Sequence, residues 1–246
     1  MRDTADLNAS PNLAPKTFKP PVRSTGTRRP PTRSAGSTRS LAVAPEFNRE
    51  ITAESEVERP VRNILLSRPD LEGLRDQWPK VSYVDSDGYQ RFHTFDFCAL
   101  YTNGYAEALA VRPADRVNSR PETGGPTLTE TVDLINAQGS LDGFAHFAVI
   151  VTDHDFTRGD VHNARFVRRA RRFRNEEHVQ EVYKLLSGVG PRVMFHTLVK
   201  GSKYPGLLEL AVWNLIDDGV LVPEIAGHVL DRSWLRVISK GSEAAQ

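Results

Sequence analysis

Asp96 stands between two phenylalanines, in Thr94-Phe95-Asp96-Phe97. A carboxylate in so apolar a setting has two ordinary uses. It ends a strand with its oxygens satisfied locally, or it gathers with another acid around a hard cation. The second use needs a partner, and Glu58 is one. It opens a segment in which Val57, Val61, Ile64 and Leu65 share one helical face. One acid from a helix and one from a strand form the arrangement that Mg²⁺- or Mn²⁺-dependent phosphodiester hydrolysis uses. Hard oxygens hold the cation, and the cation offsets charge on the scissile phosphate. Glu58 also has a purely local reading, because Ser55-Glu56-Val57-Glu58 fits a capping box in which the carboxylate reaches back to the main chain.

What faces Asp96 depends on a turn. A three-residue loop over 102–104, with Gly104 left-handed, pairs Tyr101 with Tyr105. Asp96 then faces Ala110, and Arg112 is its diagonal neighbour on the same face. A two-residue loop would oppose Asp96 to Val111 and exchange the faces. Arg112 is a nearby cation that could orient an attacking water. Glu107 alternates to the opposite face. The seven histidines, His93, His146, His154, His162, His178, His196 and His228, show no metal-ligand spacing.

The elements that must position these residues follow from periodicity. A helix starts near Val57 or Glu58, with Pro60 confined to its first turn. A loop is expected over 71–79, then strands over 80–84 and 89–93 joined by a turn at 85–88. Further strands are expected over 95–101 and 105–112, the last ended by Pro113. A helix over 127–138 precedes an apolar run, 144–152, that reads as a buried strand. The helix over 162–174 is basic, and Arg165, Arg168, Arg169 and Arg172 are its candidate contacts to DNA phosphates, against the plain alternative of a solvated face. Three short helices (176–186, 192–199, 205–217) and a hairpin (219–222 with 234–238) then suggest a small winged-helix-like α+β module. Its helix over 205–217 carries Glu209 and Asp217, with Asp218 adjoining, and no Lys or Arg. That charge suits a protein partner better than a DNA groove.

Of 246 residues, 39% are hydrophobic and 26% charged, an ordinary balance for a packed α/β chain. The net charge of +1 hides an asymmetry: residues 1–40 hold eight Lys/Arg against Asp3 and Asp6, so that segment is +6 and the remainder −5. Rich in Pro, Ser, Thr and Arg, residues 1–45 are expected to form a disordered basic arm. A single cysteine, Cys98, excludes an intramolecular disulfide and a Cys-rich zinc site. No apolar run approaches the roughly 18 residues of a membrane span, and no signal-type stretch opens the chain. A cytoplasmic, non-membrane protein is therefore expected.

The motifs, taken in order, resemble the TnsA endonuclease subunit of heteromeric cut-and-paste transposases. Ser55-Glu56-Val57-Glu58 resembles the family's S-x-L-E helix, and Arg75-Asp76-Gln77-Trp78-Pro79 its R-E-Q-x-P loop. Thr94-Phe95-Asp96-Phe97 resembles T-P-D-F, Ala110-Val111-Arg112-Pro113 falls where the family has Q/E-V-K-P, and Val149-Ile150-Val151-Thr152-Asp153 resembles the later strand and its T-D end. The likeness runs over about residues 52–175. It implies a restriction-endonuclease-like mixed-sheet core over 46–175, followed by the winged-helix-like module over 176–240. By the same likeness Glu58, Asp96 and the Ala110 position would hold Mg²⁺ (or Mn²⁺), with Arg112 in the place of the family's lysine. The implied substrate is double-stranded DNA at transposon ends, in a bacterial cytoplasm and on the nucleoid. The implied partners are a DDE-type transposase subunit and an AAA+ regulator. Ala110 and Arg112 depart from the catalytic pattern, which leaves two expectations: a working endonuclease, or a catalytically impaired homologue that binds DNA or assembles the transposition complex.

Overall fold

The computed structural model describes residues 19–27, 39–122, 124–228 and 230–238. Its elements are β1 (Ser40–Ala44), β2 (Arg49–Ala53), α1 (Glu58–Ser67), β3 (Leu71–Asp76), β4 (Lys80–Val84), β5 (Gln90–Thr94), β6 (Phe97–Tyr101), β7 (Ala106–Val111), α2 (Leu128–Ala137) and β8 (Phe147–Val151). They continue with α3 (Arg158–Arg172), α4 (Glu176–Leu186), β9 (Arg192–Met194), α5 (Phe195–Val199), α6 (Pro205–Asp217), β10 (Leu221–Pro223) and β11 (Trp234–Val237). The chain is mixed α/β.

The central sheet runs β3-β6-β7-β8. β3, β6 and β7 are antiparallel neighbours, while β8 joins β7 in parallel. A parallel join needs a crossover, and α2 lies within it. Side chains alternate to two covered faces. Phe97, Leu109 and Val111 pack with Ile51, Leu65 and Leu66 from β2 and α1. Ala108, Ala110 and Ala148 pack on the other face with Phe95, with Tyr83 of the β4–β5 hairpin and with Val132 and Ile135 of α2. Each large apolar side chain fully buried in this way contributes about 1.5–3 kcal/mol.

A third core gathers α4, α5, α6 and the sheet β10-β11-β9 around Trp213, which is 0% exposed. Val167 and Ala170 of α3 belong to this core, while other α3 residues grip α1. Arg171 donates to the carbonyls of Leu66 and Ser67 at 3.0 and 2.6 Å and pairs with Asp217 of α6 at 2.6 Å. The start of α3 is fastened to the segment before β11. Thr157 Oγ1 donates to the Gly227 carbonyl at 2.6 Å, and a Cβ at Gly159 would lie 2.0 Å from that same oxygen. Only glycine permits so close an approach.

Several expectations need correction. Residues 71–76, expected as loop, are the edge strand β3. Its partner β6 supplies the ladder, and Leu74 and Asp76 are buried beneath it, so tertiary pairing overrides a charged, Gly-containing sequence. The segment over 192–199 is not one helix: its first three residues pair with β11 as β9, which turns the expected hairpin into a three-stranded sheet. β8 is an edge strand and half-buried, with Phe147 49% exposed, rather than the fully buried strand its apolar run suggests. The expected disordered arm of residues 1–45 also ends earlier than its composition implies. Ser40–Ala44 pairs with β2, the Val22 N–H bonds the Asn48 carbonyl, and Ser24 Oγ donates to both oxygens of Asp76 at 2.8 Å. Residues 1–18 and 28–38 of that arm lie outside the described residues. Among the described residues, no helix is long and apolar enough to cross a membrane.

Candidate functional site

α1 begins where its first N–H groups find acceptors. Ser55 Oγ accepts the N–H of Glu58 at 3.1 Å, and Glu58 Oε2 accepts the N–H of Glu54 at 2.7 Å. This is the capping role foreseen for Glu58, with Glu54 as the main-chain donor. It coexists with a place in a cavity. Glu58 is buried and lines a space of about 470 Å³ with Gln77, His93, Asp96, Ala110 and Arg112. Pro60 falls in the first turn of α1, as its missing N–H requires.

Asp96 reaches the same cavity from the sheet. It sits at a bend just before β6 rather than within the strand. Its N–H donates to the Leu109 carbonyl at 3.0 Å, and its carbonyl accepts the Gln77 N–H at 2.8 Å. Tyr101 and Tyr105 close the three-residue loop, and Gly104 has a φ of 81°. The ladder then pairs Phe97 with Leu109, and one further step sets Asp96 opposite Ala110. The three-residue register is therefore the one adopted. Asp96 Oδ2 accepts the Val111 N–H at 2.7 Å, and Oδ1 is 3.4 Å from the Gln77 side-chain amide.

Burial first, and then the neighbouring charge of Glu58, push the Asp96 carboxyl up to about 7. The Val111 N–H, the Arg112 guanidinium and the Gln77 amide pull the other way. The two acids are thus near enough to repel, although 38 positions separate them in the chain. Among the described residues no third His, Cys, Asp or Glu joins them to complete a metal-binding group. Two carboxylates, with room left for water and phosphate oxygens, match the demands of Mg²⁺ better than the closed N/S set that Zn²⁺ takes.

Two residues belong to this site that sequence reasoning did not assign. Gln77 is buried, with a φ of 49° that non-glycine residues rarely adopt. Thr27 holds it there, donating to the Gln77 carbonyl from both N and Oγ1 at 2.9 and 3.0 Å. Strain of this kind concentrates at functional positions. Here it aims the side-chain amide at Asp96. His93 is the penultimate residue of β5, edge-on to Phe95 at 4.7 Å. Its Nε2 is buried without a hydrogen-bond partner among the described residues. Burial first, and then Arg112, push its imidazole down to about 4, so it is neutral at ordinary pH. Spacing gave no sign of His93, because the hairpin is a separate sheet that only tertiary packing brings beside Asp96. The Gln77 signal was present in the Arg75–Pro79 motif but carried no indication of its geometry.

The remaining candidates separate. Arg112 is exposed at the cavity mouth, and Ala110, 1% exposed, presents only its methyl group there. Glu107 accepts a hydrogen bond from the Tyr101 hydroxyl and stays off the site face, as alternation requires. On α3, Arg165, Arg169 and Arg172 are exposed. Arg168 is turned inward: its guanidinium bonds Asn63 Oδ1 at 3.1 Å and the Val43 carbonyl at 3.5 Å, which corrects its selection as a phosphate contact. A larger cavity of about 720 Å³ opens at the other end of β7, between Ile135, Leu141, Phe144 and His146, and takes in neither Glu58 nor Asp96. In comparisons with known proteins, no family model matches the chain and no curated protein matches it significantly.

Proposed function

We propose that the chain is a TnsA-like DNA endonuclease subunit, hydrolysing phosphodiester bonds at the ends of a mobile element with Mg²⁺ or Mn²⁺. The observation that carries this reading is the meeting of Glu58 and Asp96, from a helix and a sheet, in one cavity beside Arg112. The ordered motifs add to it, and so does the mixed sheet, which suits a restriction-endonuclease-like core. The α4-to-β11 part, with its three helices and three short strands, suits a winged-helix-like module. A DDE-type transposase subunit and an AAA+ regulator are the partners that the resemblance brings.

In this mechanism Glu58 and Asp96 would hold the divalent ion, without an oxygen from Ala110, whose main chain pairs with β8. The ion, when bound, offsets charge on the phosphate and lowers the cost of activating water. Arg112 stabilises the phosphate oxyanion and cannot take a proton. Gln77 fixes the Asp96 carboxylate. His93, neutral at ordinary pH, lines the wall of the cavity without adding charge to it. The water oxygen forms the new P–O bond as the bond to one ester oxygen breaks, the water's proton passing to solvent and the departing oxygen taking one up from it.

One observation favours the impaired-homologue reading instead. Where the family carries a side-chain oxygen, Ala110 has only a methyl group. Cleavage of DNA carrying the element ends separates the two readings. The assay uses Mn²⁺ or Mg²⁺ with the DDE-type partner present. The endonuclease reading expects wild-type cleavage, with Asp96→Asn and Glu58→Gln slower by at least about 100-fold. No wild-type cleavage overturns it, and activity confined to the Ala110→Gln/Arg112→Lys double variant establishes the impaired-homologue reading.

A further inference from the structure

The carboxylate cavity does not end at Arg112. A second space, of about 590 Å³, continues from it and shares Phe92, His93, Arg112, Arg116 and Leu128 in its walls. Beyond that junction it is bounded by Arg91 and Arg120 and by the loop after Pro121. Four arginines therefore border this second space, and Glu122 is the one acid among its described lining residues. Their states differ. Arg91 pairs with Asp85 at 2.8 Å, and Arg120 with Glu130 at 2.9 Å. The guanidiniums of Arg112 and Arg116 are exposed and have no hydrogen-bonded or ion-paired partner among the described residues. Phe92 stands at the junction, 63% exposed, with the Lys80 ammonium 5.1 Å from its ring centroid.

We infer that this groove is the track along which one DNA strand enters the site, its phosphates on Arg112, Arg116 and Arg120 and a base against Phe92. The inference rests on the endonuclease reading and moves the main DNA contact away from α3, where the basic run of the sequence had suggested it. Arg112 joins the two parts, lining the carboxylate cavity and the groove alike. The unpaired Arg112 and Arg116, with Arg120 in a solvent-exposed pair, favour a polyanion in an open trough, because neutralising each phosphate releases counterions. An exposed aromatic ring beside them favours a nucleic acid over an acidic protein, since every base offers a face to stack on. Glu122 disfavours anions only at the far wall.

Binding of a fluorescent single-stranded oligonucleotide in EDTA tests the groove without any contribution from a metal. Arg116→Ala/Arg120→Ala is expected to weaken binding at least about tenfold at low salt and to flatten the salt dependence by about 0.7 per lost phosphate contact. Phe92→Ala is expected to weaken it about fivefold with the salt slope unchanged. Arg116→Lys/Arg120→Lys, which keeps the charges, is expected to retain the wild-type slope and shows that the alanine variant fails for want of charge rather than of fold. Wild-type affinity in the alanine variants overturns the inference, as does a loss confined to Arg165→Ala/Arg169→Ala/Arg172→Ala. Cleavage in Mn²⁺ is read separately. A protein that cuts DNA but ignores the groove substitutions keeps its endonuclease reading and loses the track, and one that binds through the groove yet never cuts does the reverse.

Discussion

Asp96 is under two opposing demands. The fold buries it beside Glu58, which favours the proton, while the proposed metal binding would need the proton gone. Its carboxyl, pushed up to about 7, holds a proton in the folded state that the unfolded chain has released by about pH 4. The folded state therefore binds more protons across that window, and stability from this residue falls as pH rises from about 4 to about 7. Asp96→Asn removes the penalty and keeps an oxygen for the Val111 N–H. Without divalent ions, the variant is expected to melt above wild type at pH 8, with the difference shrinking at pH 5. Mg²⁺ is expected to raise the wild-type Tm more at pH 8 than at pH 6, because ion and proton compete. Thermal melts across pH check both statements, and an Asn variant that melts below wild type at pH 8 without metal contradicts the first.

At the scale of elements, legibility follows the range of the interactions. The Gly104 turn, the register that opposes Asp96 to Ala110, the start of α1 and the span of α2 are fixed by neighbours a few residues apart, and each could be read from the sequence. β3 and β9 could not, because their ladders come from strands far along the chain and their own residues carry weak local signals. The same limit hid His93, and it made α3 look like a solvated DNA-binding face. Of the α3 arginines, Arg168 and Arg171 are structural, and Arg171 joins α1 to α6. Arg171→Ala leaves two α1 carbonyls and Asp217 without their donor. It is expected to cost about 2–3 kcal/mol of unfolding free energy by chemical denaturation. A cost within about 0.5 kcal/mol, the range of ordinary surface substitutions, would show that the bridge is dispensable.

For the whole molecule, α3 is the shared beam. Its apolar residues complete the C-terminal core while its arginines hold the first helix of the sheet-bearing part. The basic groove and the carboxylate cavity are both lined by residues of that sheet-bearing part, so the proposed DNA track would not involve the C-terminal module. On α6, Asp217 is taken up by Arg171, so the helix offers less acidic charge to a partner than its sequence suggests. Everything functional in this picture turns on Glu58 and Asp96 sharing a cation. Mn²⁺ binding followed by electron paramagnetic resonance at pH 8, on wild type, Glu58→Gln and Asp96→Asn, tests that sharing directly. One Mn²⁺ site in the wild type, lost in each single variant, is the expected result. Equal binding in all three proteins, or none in the wild type, would contradict it.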